Sequence, residues 1–351
     1  MTNLAIIIVS WNTCELLRRC LTSVHASLAD SGIAYTIVVV DNRSSDGTPT
    51  MLRAEHPEVL LIESGRNLGF AGGNNLALRQ VLRSEFKVLS YSDDQNSTLK
   101  TQNSELDYVF LLNPDTEVVG DAIPRLVRYL AAHPDVAVVG PRLRYTDGSA
   151  QPSRRRFPTP GTYFWESTPL EQRWPGNPWA RRYRYDDKPD DAEQEVDWLV
   201  GAALLVRREA IERAGLLDAG FLMYSEELEW QRRIRGLGFE ARDLGRSTQS
   251  QAPSPKPQAP TIMYLPDAVI VHHEGKSSEQ ALARRYLNFQ RSRIREAGMV
   301  YGERFAAGLR LFLRAAYTAE LAVEAAKWLV GHRRPLRARR VVVYWQVVRG
   351  L

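Results

Sequence analysis

Apolar residues in the first 140 positions come in short runs separated by stretches with a helical period. Leu4 to Val9 is an unbroken apolar run of a length that suits a buried strand. Behind it Leu17, Leu21, Val24 and Leu28 recur at spacings of three and four, which lines them along one face of a helix. Tyr35 to Val40, Val59 to Ile62, Tyr108 to Leu112 and Val136 to Val139 read as further strands, with helices near 48–55, 73–82 and 121–132 between them. Alternation of this kind predicts an α/β fold with a mostly parallel, Rossmann-like sheet flanked by helices. Ligands of such sheets bind beyond the carboxyl ends of the strands, so the polar residues that follow each strand are the ones to examine.

From 141 to 208 the pattern changes to hairpin-like pieces, with Asp147-Gly148 a tight-turn signal. An aromatic, Arg-rich and Pro-rich stretch from 154 to 185 has no clear period, and Val196 to Arg207 reads as a strand interrupted at Gly201, before a short helix over 209–214. Past 280 the chain is helical, and Phe305, Leu309, Phe312, Leu313 and Ala316 make an apolar stripe flanked by Arg304, Arg310 and Arg314. Such a helix either docks on the body or lies on a membrane. Two segments look inserted. Residues 84–106 are polar without a period, so Asp93 and Asp94 read as solvated loop carboxylates. Residues 246–260 hold four prolines and no large apolar side chain, which predicts a mobile excursion that packs no core.

At 351 residues and 44% hydrophobic composition the chain can bury a substantial core, which excludes disorder as a whole. Cys14 and Cys20, six apart in an expected helix, form neither a CxxC pair nor a disulfide framework, so they read as packing residues of a cytoplasmic protein. The first residues lack a basic leader, and their apolar run is far below the ~20 residues of a membrane span. Charge is uneven: residues 281–351 carry 15 Lys and Arg against 4 Glu, a balance of +11 that leaves −6 for the rest. A basic tail on an acidic body points to an anionic contact, or to a merely solvated helix pair.

Candidate chemistry follows the strands. The second strand ends in Asp41, whose carboxylate can accept hydrogen bonds from a base or ribose, while Asp46 or Thr48 caps the next helix. After the third comes Asn67-Leu68-Gly69-Phe70-Ala71-Gly72-Gly73-Asn74, whose glycines allow close backbone approach to a ligand. No GxGxxG follows the first strand, which disfavours a dinucleotide site. The fourth strand runs into Asn113-Pro114-Asp115-Thr116, a turn from which Asp115 can hold a divalent cation that also grips a diphosphate. Glu226, Glu227 and Glu229 crowd the start of a helix with more carboxylates than capping needs, so one of them can serve as general base. His272 and His273 end a later apolar strand; paired with a distant carboxylate, His272 becomes a metal-ligand candidate.

Taken in order, these segments resemble the family-2 glycosyltransferases of the GT-A fold, most closely the rhamnosyltransferase-like branch. The matching pieces are Val9-Ser10-Trp11-Asn12, Val40-Asp41-Asn42, Asn67 to Asn74, Leu112 to Thr116, Gly201-Ala202, Tyr224-Ser225-Glu226-Glu227, and His272 with Gly275 and Ser277. The resemblance implies that Asp41 contacts the nucleobase and that Asn67, Gly69 and Asn74 line the nucleotide site. It implies that Asn113, Gly201 and Glu226 belong to the substrate site, that Asp115 binds Mg2+ or Mn2+, and that His272 completes the metal and diphosphate site with Glu227 as base. The family usually has Asp where this chain has Glu227 and Glu229, a difference of one methylene that moves a proton acceptor by roughly an ångström.

The expected organisation is a nucleotide-sugar-binding half over 1–140, an acceptor and catalytic half over 141–280, and a basic helical extension over 281–351. The expected activity is inverting transfer of a sugar, first rhamnose from deoxythymidine diphosphate-rhamnose, to a glycan or polyprenyl-diphosphate-linked acceptor for cell-surface polysaccharide. Arg333, Arg334, Arg337, Arg339 and Arg340 are the expected contacts of a peripheral attachment to the anionic inner face of the cell membrane; no nucleic-acid fold accompanies them. Two competing readings are a non-catalytic nucleotide-sugar or glycan binder, and a nucleotidyltransferase. The latter wants a Gly-rich, basic loop after the first strand, where this chain has Ser10-Trp11-Asn12-Thr13.

Overall fold

The computed structural model describes residues 2–83, 87–89, 101–103, 106–236, 259–273 and 282–351. Asp93, Asp94, Gly275, Ser277 and nearly all of the Pro-rich stretch lie outside the described residues. The first half runs β1 (Asn3–Ser10), α1 (Cys14–Leu28), β2 (Ala34–Asp41), α2 (Thr48–Glu55), β3 (Leu60–Glu63), α3 (Gly69–Val81), β4 (Lys87–Leu89), β5 (Thr101–Asn103), β6 (Tyr108–Leu112), β7 (Thr116–Val118), α4 (Ala122–Ala132) and β8 (Val136–Arg144). Then come β9 (Ala150–Gln151), β10 (Arg154–Arg155), α5 (Pro160–Trp165), α6 (Pro178–Tyr183), β11 (Gln194–Glu195), β12 (Trp198–Leu199), β13 (Ala203–Arg207), α7 (Arg208–Ala214), α8 (Glu226–Gly236) and β14 (Thr261–His272). Three long helices finish the chain: α9 (Leu282–Tyr301), α10 (Glu303–Leu329) and α11 (Arg334–Gly350).

The main sheet has the order β11-β14-β8-β13-β6-β1-β2-β3, with β7 and β9 added at β14 and β8. Strands β6, β1, β2 and β3 are parallel, as are β8 and β14. Strand β13 runs antiparallel to both of its neighbours, β6 and β8. The architecture is thus the α/β arrangement expected, a central mostly parallel sheet flanked by helices with a helical carboxyl-terminal region. What periodicity did not reveal is the reversed β13 between the Tyr108 and Val136 strands. Its run Ala203–Val206 is buried throughout, as a strand covered on both faces must be. Within the segment read as an aperiodic insertion, β4 and β5 pair antiparallel.

Side-chain alternation along β1 explains the two cores. Leu4, Ile6 and Ile8 face α1 and α4, packing with Leu17, Leu21 and Leu126, whereas Ala5 and Ile7 face α3, α7 and α8, packing with Leu78, Ile211 and Trp230. A third cluster joins α9, α10 and α11 to α5 through Ile294, Leu309, Leu313, Tyr317, Tyr344 and Tyr163. Phe305 and Phe312 meet Phe164 edge-on at 5.8 and 4.9 Å. The apolar stripe of α10 therefore docks on the body. Arg337, expected at a membrane, is instead buried and bonded to buried Glu324 at 2.7 Å, a pair that fastens α11 to α10. No helix among the described residues is long and apolar enough to cross a membrane.

Gly69, at the start of α3, has φ +71°, and a Cβ there would stand 2.1 Å from the Leu222 carbonyl oxygen. Its neighbour Gly65 has a similar φ of +70° but open space around it. Gly65→Ala is expected to lower unfolding stability by about 1 kcal/mol, the cost of a left-handed side-chain-bearing residue. Gly69→Ala adds a backbone clash and is expected to cost at least about 3 kcal/mol. Urea unfolding midpoints check the contrast, and equal losses would contradict it.

Candidate active site

The carboxyl ends of β1, β2, β3 and β6 share one edge of the sheet. Because β13 is reversed, it starts at that same edge, with Ala203 opposite Leu112 and the Asn113 N–H donating to Ala202 O at 2.9 Å. Strand β14 ends there too, His272 opposite Thr116, and the His273 N–H donates to Asp115 O at 2.9 Å. Asp41, Asn113, Asp115, Gly201 and His272 are brought to one side by topology alone.

The Asn113–Thr116 turn is closed from within, the Thr116 hydroxyl donating to Asn113 O at 2.7 Å. Cys20 lies beneath it, its thiol 3.5 Å from Thr116 Oγ1 and pushed up to about 12 by burial; it is a packing residue, as the spacing implied. Asp115 and His272 are both buried, with Oδ1 and Nε2 3.3 Å apart. The opposite ring nitrogen, Nδ1, is 3.0 Å from Gln151 Oε1. An amide oxygen only accepts, so Nδ1 donates to Gln151 and it is Nε2 that faces the carboxylate. An imidazole nitrogen and a carboxylate oxygen set side by side in this way are a donor pair that a divalent ion can take. His273 is occupied elsewhere, at 2.7 Å from Glu117.

On the β2 side, Asp41 is buried; Oδ2 accepts from the Ser44 N–H at 3.0 Å and Oδ1 has no partner among the described residues. A buried acceptor of this kind at a strand's carboxyl end can take a hydrogen bond from a ligand donor. Asn42 Oδ1 takes the Leu68 N–H at 3.3 Å and its amide donates to Gly69 O at 3.1 Å, so β2 holds the Gly-rich loop directly. Asn67 Oδ1 accepts from the Gly69 N–H at 2.9 Å, and buried Asn74 donates to Phe70 O at 2.9 Å. Here the glycines admit protein: Gly69 faces Leu222, and a Cβ on Gly73 would meet Val9 at 2.6 Å.

The three carboxylates at the start of α8 separate cleanly. Glu229 is held by Arg233 through bonds of 2.6 and 2.9 Å. Glu226 is buried and Glu227 half-buried, and Oε2 of each has no hydrogen-bond partner among the described residues. Burial raises the Glu226 carboxyl well above the ordinary range, and the charge of Glu227 raises it further. Glu227 is also raised by burial, but backbone N–H groups of the helix start and of Gly201, with Arg155, favour its ionised form. Of the two, Glu226 therefore holds its proton more tightly and Glu227 gives its proton up more readily. The preceding turn is strained, Tyr224 and Ser225 having φ of 71° and 65°. Helix α9 grips it: the Ser292 hydroxyl donates to Met223 O at 2.8 Å, and Phe289 meets the Tyr224 ring at 5.4 Å.

Glu227 opens into a cavity of about 760 Å³. Its walls come from the 155–200 segment, including Arg155, Tyr183 and Trp198, and from all three terminal helices through Arg285, Phe289, Arg293, Tyr317 and Tyr344. Glu296 of α9, raised by burial, bonds Arg232 of α8 at 2.8 Å and also takes the Tyr163 hydroxyl.

Residues 5–98 match the family model described as glycosyl transferase family 2. The chain is 28% identical over 243 residues to the N-acetylglucosaminyl-diphospho-decaprenol L-rhamnosyltransferase of Mycobacterium tuberculosis, covering 69% of this chain and 68% of that protein. This chain is a glycosyltransferase with a family-2 domain. The low-salt glycan biosynthesis hexosyltransferase Agl10 of Haloferax volcanii is 27% identical over 67% of this chain and 62% of its own. Among solved structures, S. aureus TarS aligns with TM-score 0.47 and 13% identity over 82% of this chain and 39% of that one.

Reasoning from sequence missed several residues of this glycosyltransferase. Gln151 ends the short strand β9, paired with Leu143 of β8, where no spacing ties it to His272. Gln290, Arg293 and Glu296 are buried on α9, yet in sequence they read as part of a solvated basic helix. The signal available was their recurrence at intervals of three on a helix that also carries apolar residues.

The raised pKa of Glu226 carries a sign. Below the ordinary glutamate range both folded and unfolded chains hold the proton; stability is then lost as the pH rises through the elevated folded value. Glu226→Gln is expected to be more stable than wild type near about pH 8, by on the order of 1 kcal/mol, and to lose that advantage near about pH 4. Thermal unfolding across this range checks it, and an unchanged or lower Tm at the higher pH would contradict it.

Proposed function

We propose that this glycosyltransferase inverts the anomeric centre of its donor sugar, with rhamnose from deoxythymidine diphosphate-rhamnose as first candidate, and transfers it to a polyprenyl-diphosphate-linked glycan destined for the cell surface. The single observation that carries the reading is Glu227, a carboxylate at a cavity wall with one oxygen unpartnered among the described residues, beside the sheet edge where Asp115 meets His272. The sugar and the lipid-linked acceptor are suggested by the name of the mycobacterial relative. The cavity lining balances Arg155, Arg184, Arg285 and Arg293 with Glu166, Glu171, Glu227 and Glu296 among aromatic rings, a neutral surface suited to the glycan part of an acceptor.

In this reading residues 1–140 bind the donor, with Asp41 Oδ1 as an acceptor for its base, and 141–280 with 281–351 form the acceptor side. Asp115 and His272 fit a divalent ion, Mg2+ or Mn2+, because the Gln151 bond leaves Nε2 as a donor atom facing the carboxylate. Bound there, the ion would neutralise charge on the leaving diphosphate. Glu227 accepts the proton of the attacking hydroxyl, while burial and the neighbouring Glu227 make Glu226 the harder of the two to ionise.

The α10–α11 turn exposes Trp328, Leu329 and Val330 next to Arg333 and Arg334, an apolar wedge beside cations that suits the surface of an anionic membrane. Arg339 and Arg340 extend the same basic face, with Arg340 also near Glu324.

Asp115→Ala and Glu227→Gln are each expected to lower transfer by about 10²- to 10⁴-fold with a competent donor and acceptor. Wild-type rates in both would sink the assignment. The acid limb of kcat/KM is expected above the ordinary glutamate range, because Glu227 must lose a proton that burial helps it keep. In vesicle flotation, recovery is expected with anionic lipid and to fall for Arg333→Glu/Arg334→Glu; equal recovery with neutral and anionic lipid removes the membrane reading.

A further inference from the structure

A second group of metal-ligating side chains lies at the opposite end of the sheet. His25 in the last turn of α1, His56 just after α2 and Glu58 before β3 each bring one ligand atom to within 4.8 Å of the others. His25 Nε2 and His56 Nδ1 stand 3.1 and 3.3 Å from the same oxygen, Glu58 Oε1. The remote nitrogen of His25 is 2.9 Å from the Tyr35 hydroxyl, and the two imidazoles are parallel to within 8°. Tyr35 is near the start of β2 and Asp41 at its end, so roughly 20 Å separates this group from the edge that holds Asp115.

We propose that His25, His56 and Glu58 form a site for a zinc-class divalent ion, distinct from the Asp115–His272 pair. The donor set, two imidazoles and a carboxylate with room for water, is one zinc takes and magnesium does not favour. Metal–ligand bonds of about 2.0–2.1 Å put neighbouring donors of a four-coordinate ion roughly 3.3 Å apart, the spacing of each histidine from Glu58 here. The Tyr35 hydroxyl fixes the His25 ring through its remote nitrogen, as outer partners of metal-bound imidazoles do. The ion would join three pieces of chain far apart in sequence, the end of α1, the α2–β3 connection and, through Tyr35, the start of β2. Binding to the folded chain alone then raises its stability.

The test uses the full chain carrying Asp115→Ala/His272→Ala, so that zinc at the catalytic edge does not contribute and the outcome is independent of the proposed reaction. Equilibrium dialysis is expected to find about one Zn2+ per chain, with a rise in Tm of several degrees that Mg2+ does not reproduce. His25→Ala/His56→Ala in that background is expected to abolish both. Glu58→Gln, at a half-exposed position that leaves the fold intact, is expected to weaken binding at least about tenfold. No zinc uptake in the first variant, or undiminished uptake after both further changes, overturns the proposal.

Discussion

The structure turns on the carboxylate of Glu227, held at the start of α8 against Gly201. A Cβ on Gly201 would lie 3.3 Å from the Glu227 side chain, so the gap between β12 and β13 is what lets α8 approach the sheet edge. Reaching that position takes two consecutive left-handed residues, Tyr224 and Ser225, each costing about 1–2 kcal/mol. Strain of this kind persists only where neighbouring contacts determine it. Those contacts come from α9, through Ser292, Phe289 and the Glu296–Arg232 bond.

The same contacts give the carboxyl-terminal helices a part in the site. Their positive charge suggested a tail that seeks an anionic partner, but their inner faces complete the cavity beside Glu227 and their apolar stripe is spent on Phe164 and Tyr163. The surplus charge is therefore displayed on the outer face and at the α10–α11 turn, where Arg333 and Arg334 are exposed. One of the five arginines expected there, Arg337, is a buried partner of Glu324; burial alone would raise that carboxyl, and the nearby cations hold it below its usual value.

Much of the first 140 residues was legible because their signals are local. Apolar runs of strand length, one amphipathic helix and a polar residue at each strand's end give β1, β2, β6 and the positions of Asp41 and Asp115. The reversal of β13 was not legible, since an apolar run of five residues has no direction until its neighbours are known. The division of labour among Glu226, Glu227 and Glu229 was also hidden. It depends on Arg233 taking Glu229 and on burial separating the other two, and both are consequences of packing. Family resemblance named Glu227 and His272, but the Gln151 bond that sets the His272 tautomer follows from tertiary structure alone.

The central claim is that Asp115 and His272 hold a divalent ion for the donor diphosphate while Glu227 acts only on the acceptor. The most direct measurement is calorimetric binding of uridine, deoxythymidine and guanosine diphosphates, with and without Mg2+ or Mn2+, to wild type, Asp115→Ala and Glu227→Gln. The account predicts metal-dependent binding of one preferred base, kept in Glu227→Gln and lost in Asp115→Ala. Binding that ignores the metal, or that survives Asp115→Ala unchanged, would contradict it.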